Sequence, residues 1–99
     1  MTPNKKQLKH LVALCHNLQP VIRIGQKGVT EPVLAELDIA LAHHELIKLK
    51  IGVGERDERK EIVAKIAAER DAHVIQQIGH TAVLFKRNHE KPVIFFPKT

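Results

Sequence analysis

The residues best suited to chemistry in this chain are Gly25, Gln26, Lys27 and Gly28, which follow the β-branched run Val21 to Ile24 and precede Thr30, Glu31 and Pro32. Thr30 has the character of a helix N-cap, Pro32 fits a first turn, and Glu31 suits the positive end of the helix dipole. The four-residue loop therefore leaves a strand and opens a helix. Its glycines allow close backbone approach, and amides unpaired at a helix start attract anions. Lys27 adds a mobile positive charge at the tip, so contact with a phosphate is the chemistry this arrangement supports. A simple turn is the alternative, because two glycines at this spacing recur by chance. A Walker loop is excluded, since the glycines are too close together and Val29 stands where lysine is needed.

Other reactive residues lead less far. His43, His44, Glu45, Leu46, Ile47 and Lys48 superficially resemble a zinc-protease helix, but Lys48 stands where the second histidine is required. The histidines read instead as a helix terminus favouring the negative dipole end. Asp57, Glu58 and Glu61 read as dipole-favoured residues of a helix start rather than an acid–base pair. There is no serine, and Cys15, the single cysteine, falls on an apolar helical stripe as a buried thiol. No metal, cofactor or catalytic residue is expected, and the chain reads as a non-enzyme.

Charge points the same way as the loop. The 99 residues carry 16 Lys and Arg against 11 Asp and Glu, a formal net charge of +5, which favours a polyanionic partner. Lys5, Lys6 and Lys9, with His10, cluster on the first helix, and Lys48 and Lys50 fall on the outward side of a strand. Together they could extend a positive surface around the loop, or be an ordinary solvated face. Phe85, Phe95 and Phe96 are the only aromatic residues, too few for a base-stacking platform, so any nucleic-acid contact is led by the phosphate backbone.

The elements that must hold these residues follow from periodicity. Leu8, Leu11, Val12, Cys15 and Leu18 predict a helix from Lys5 to Asn17, and Val21 to Ile24 a strand. Val33, Leu34, Leu37, Ala40 and Leu41 predict a second helix to about His43, followed by a strand from Leu46 to Val53. Ile62, Val63, Ile66 and Ala67 line a third helix ending near Asp71. Val74 to Ile78 and Ala82 to Phe85 form a hairpin about Gly79 and His80, and Val93 to Phe96 is read as an added edge segment. The order α-β-α-β-α-β-β gives an α/β class: a compact two-layer domain with three helices and a four-stranded mixed sheet, one domain over residues 1–99. One cysteine, no secretory pattern and no membrane-length apolar run fit a cytoplasmic protein away from membranes; a monomer is expected.

Ile24 to Glu31 with Val33 and Leu34, followed by His43 to Lys48, resembles the CRM domain, found alone in bacterial YhbY-type proteins and repeated in plant organelle splicing factors. The resemblance covers nearly the whole chain. It implies a fold similar to the C-terminal domain of bacterial translation initiation factor three, with Gly25 to Gly28 as a KH-like Gly-x-x-Gly loop. It also implies RNA binding through that loop, with ribosomal RNA and precursors of the large ribosomal subunit as partners. Docking mainly through ribosomal proteins is the alternative, and a nucleic-acid-processing enzyme with an unrecognised site a third class.

Overall fold

The computed structural model describes residues 1–97; the last two residues of the expected 1–99 domain lie outside the described residues. Helix α1 (Lys5–Cys15) begins at Asn4, whose side chain accepts from the Gln7 amide while Gln7 accepts from the Asn4 amide, a reciprocal capping box. It stops two residues short of the expected Asn17. Asn17 and Leu18 donate to the carbonyls three residues back, tightening the chain ahead of Pro20.

Strand β1 (Pro20–Ile24) opens on that proline, which the sheet edge tolerates because no ladder amide is required there. Helix α2 (Glu31–His44) is capped by Thr30, and strand β2 (Leu46–Ile51) follows after one intervening residue. Helix α3 (Arg56–Glu69) and the strands β3 (His73–Ile78) and β4 (Thr81–Phe85) complete the chain order. The hairpin turns on Gly79, whose φ of +57 is the left-handed conformation its first turn position requires.

The sheet order is β1-β2-β4-β3, with β1 and β2 parallel and the remaining pairs antiparallel. The element order and the mixed sheet are as expected, while β4 inserts between β2 and β3. Alternation along the central strands divides the core. Ile47, Leu49, Ala82 and Leu84 pack against Leu37 and Leu41 of α2 and Val63 and Ile66 of α3. Leu46, Val83 and Phe85 face the other way, against Leu11 and Cys15 of α1. There is thus one layer more than the two expected: two helices cover one face and α1 covers part of the other. The reason is visible in β4, whose residues from Ala82 to Phe85 are all buried, as a strand covered on both faces demands.

Glu45 joins α2 to β2 and is completely buried, with a φ of +62 that is uncommon outside glycine. Its carboxylate accepts from the amides of Val93 at 2.6 Å, Ile94 at 2.7 Å and Asn88 at 2.7 Å, and from Arg87 Nη1 at 3.3 Å. The segment expected to form an extra strand edge is therefore held as irregular chain on Glu45, with Ile94 and Phe96 packed on the α1 side of the core. Burial alone would push the Glu45 carboxyl up, but the amide donors and Arg87 outweigh it and hold the group below its ordinary value.

Glu45→Ala should therefore lower unfolding free energy by about 3–5 kcal/mol, since it strands three amides and a half-buried guanidinium. The folded-state depression means that the ionised carboxylate stabilises above its unfolded pKa, about 4.3, and that this contribution fades as pH falls through the folded value. In urea titrations the stability gap between wild type and Glu45→Gln should narrow on acidification below about pH 4. A gap that is constant with pH would contradict the ionised state assigned to Glu45.

Candidate nucleic-acid interface

The glycine loop emerges from the C-terminal end of β1. Gly28 donates to the Gly25 carbonyl at 2.9 Å, closing a turn with Gln26 and Lys27 at its tip, both exposed. Gly28 adopts φ +73, whereas a Cβ at either Gly25 or Gly28 would meet nothing within 4 Å. Conformation thus favours glycine at 28, and at 25 the backbone is simply bare toward solvent. The amides of Gln26 and Lys27 donate to no group among the described residues. The helix start offers less than the sequence implied: Val33 donates to the Thr30 hydroxyl, Pro32 has no amide proton, and Glu31 is acidic. An anion at this loop would be met chiefly by the Gln26 and Lys27 amides and the Lys27 ammonium.

Beside the loop the outward face of the sheet is bare. Arg23 pairs in register with Lys50, Lys50 with Thr81, and Thr81 with Ile78, a row across all four strands at the loop end. Helix α1 packs over the opposite end, leaving Arg23 and Lys50 exposed. Two like charges side by side without an intervening acid repel, a cost that an anionic partner removes. Lys48, two residues earlier, is half-buried and donates through Nζ to the Cys15 carbonyl at 3.1 Å, capping the end of α1. Burial is the main cause that raises the Cys15 thiol pKa, which Lys48 partly counters; an inert buried thiol is the result.

Lys5, Lys6 and Lys9 stand apart from this group. All three are exposed on α1, but the helix reaches the outward lysines with its C-terminal end, at Lys48. Lys9 lies about 9 Å and Lys5 about 15 Å back along the axis from Cys15 at 1.5 Å per residue. Lys6 and Lys9 instead border a groove with His10 and Phe96. His43 and His44 occupy the exposed last turn of α2, and Glu58 forms a capping box with Glu55 in α3. Among the described residues no group of three or more metal-ligating side chains is gathered, and no helix is long and apolar enough to cross a membrane.

Two cations escaped the sequence reading. Arg23 could have been found, because it alternates with buried Ile22 and Ile24 and must face outward. Arg59 gave no local sign of its partners; it donates to the Gly54 carbonyl at 2.7 Å and the Gly79 carbonyl at 3.2 Å, tying the loop after β2 to the β3–β4 hairpin. Gly52 donates to the Ile24 carbonyl at 2.8 Å, so three connections meet at one end of the sheet.

Fold and surface together define a small basic α/β domain with a glycine turn and an uncovered cationic strand row at one end of its sheet. The chain belongs to the CRS1 / YhbY (CRM) domain family, whose profile matches residues 4–86. It is 41% identical over 92 residues to a Haemophilus influenzae protein named "RNA-binding protein", covering 93% of each chain. It is 38% identical to a Pseudomonas aeruginosa protein named "Probable RNA-binding protein", over 89% of this chain and 85% of that one. The solution structure of a hypothetical protein from Staphylococcus aureus superposes with a TM-score of 0.81 at 28% identity, covering 97% of this chain and all of the other.

The loop geometry separates its two glycines by experiment. Gly28→Ala should cost about 1–2 kcal/mol from the left-handed backbone, while Gly25→Ala should stay within about 0.5 kcal/mol of wild type. Equal costs in denaturant unfolding would contradict the turn described.

Proposed function

We propose that this protein is a non-enzymatic RNA-binding factor that associates with precursors of the large ribosomal subunit and assists their assembly in the cytoplasm, acting as a monomeric single CRM domain. The observation that carries the reading is the pair of free amides at Gln26 and Lys27, on a turn fixed by Gly28 and flanked by Arg23 and Lys50. Such a turn presents donors and positive charge to a phosphate without needing a base, which agrees with the scarcity of aromatic side chains. The names of the relatives support RNA as the polyanion. Thr30 serves by capping α2 and so fixing where the turn ends. Lys50 continues the contact along the sheet, while Lys48 is held half-buried on the Cys15 carbonyl and supports the contact by fixing the end of α1; Lys5, Lys6 and Lys9 contribute long-range attraction.

The test is binding of purified protein to large-subunit ribosomal RNA across a salt series. With about four phosphates neutralised on a single strand, log affinity should fall against log salt with a slope on the order of −3. Lys27→Ala/Gly28→Asp should weaken binding by on the order of tenfold, about 1.4 kcal/mol, and still fold, because aspartate is among the few residues that visit the left-handed region. Wild type and folded variant binding weakly and alike would transfer the function to docking through ribosomal proteins.

A further inference from the structure

A second cationic site lies at the same end of the sheet, on the far edge from the glycine loop. A cleft of about 510 Å³ opens between the start of α3 and the β3–β4 hairpin, lined by Arg56, Arg59, Lys60, Gln77, Ile78 and Gly79. No acidic residue lines it. The larger cleft beside α2 differs: it sets Asp38, Glu69 and Asp71 among Arg70 and Lys86, and has no net preference for an anion.

The cations at the start of α3 stand where helix stability does not favour them. Arg56, Arg59 and Lys60 sit in its first two turns, at the positive end of the dipole, where cations are disfavoured. Spaced i, i+3 and i+4, they share one side of the helix, continuing the stripe on which Val63, Ile66 and Ala67 enter the core. Asp57, Glu58 and Glu61 take the opposite side, and Glu55 with Glu58 forms the capping box. Segregation leaves the cleft purely basic. Arg59 is anchored by the Gly54 and Gly79 carbonyls, so it holds the cleft walls together, while Arg56 and Lys60 are exposed and make no hydrogen bond or ion pair among the described residues.

We propose that this cleft is a second phosphate-binding site for the same RNA, with Arg56 and Lys60 as the contacts and Arg59 as the positioning residue. The inference rests on the RNA-binding reading above. Strands β1 and β3 are three spacings apart, roughly 14 Å, so the glycine loop and the cleft bracket one end of the sheet. An RNA backbone laid across that end reaches both within a few nucleotides. Ile78, 64% exposed at the cleft mouth, offers an apolar surface to a ribose or base between the two anchors.

The experiment compares wild type, Arg56→Gln/Lys60→Gln, and the equally discharged control Lys65→Gln/Lys91→Gln in the salt series with large-subunit ribosomal RNA. Removing cations from the positive end of α3 relieves it, so the cleft variant should fold at least as well as wild type, checked by circular dichroism. Its salt slope should be shallower by about 1.4, at about 0.7 per phosphate on a single strand, with the control retaining the wild-type slope. A cleft variant matching wild type, or a control losing as much as the cleft variant, would overturn the proposal and leave RNA binding standing. A wild type without salt-dependent binding would overturn the RNA reading itself. Competition by inorganic phosphate at concentrations matching the RNA phosphate would reassign the cleft to free anions and equally overturn it.

Discussion

The buried carboxylate of Glu45 is the constraint on which the rest of the arrangement depends. An isolated charge removed from water costs several kcal/mol unless it is fully hydrogen-bonded. Here three backbone amides and Arg87 supply those bonds from a segment more than forty residues further along the chain. The Glu45 backbone is used as well: its amide donates to Leu41 and its carbonyl accepts from Lys86. One residue thus ends α2, aligns β2 with the exit of β4, and secures the C-terminal segment beside α1. Its positive φ makes the reversal between helix and strand abrupt enough that only one residue separates them.

Because β2 is a central strand, fixing its start fixes which of its residues face each way. Leu46 lies under α1, Lys48 touches the end of that helix, and Lys50 lies beyond its cover. The outward face therefore grades from packed and apolar at the Glu45 end to open and cationic at the loop end. The same division runs across the molecule. One end of the sheet holds the aromatic contacts of Phe85, Phe96 and His10 and the Glu45 network; the other holds the glycine turn, the Arg23–Lys50 pair and the basic cleft. Because α1 and the C-terminal segment cover the outward face at only one end, like charges can stand together at the other, where they are useful to a polyanion and unhelpful to the fold.

Much of this was legible beforehand where the signal was local. Three- and four-residue apolar spacing located all three helices, Thr30 and Pro32 marked the start of α2, and Gly79 marked the hairpin. The helix and strand boundaries slipped where a contact from elsewhere intervened. The second strand ends at Ile51, opposite Ile24 at the end of β1, with the Gly52 amide making the last bond of that pairing to the Ile24 carbonyl, and Val93 to Phe96 leaves the sheet because Glu45 captures its amides. The glycine loop was visible as a motif, but not the loss of helix-start donors to Thr30 and Pro32, nor the distance of Lys5, Lys6 and Lys9 from it.

The sequence by itself determined the elements, their order, the excess of positive charge and the glycine turn, since each depends on neighbours within a few residues. Only the tertiary structure decided that β4 would insert between β2 and β3, that α1 would form a third layer, and that Glu45 would be buried rather than solvated. It also decided which cations meet: Arg23 beside Lys50 by strand register, and Arg56, Arg59 and Lys60 around a hairpin some twenty residues away. These follow from long-range pairing and packing, for which a residue's identity fixes what it can bind and the fold alone fixes what comes within reach.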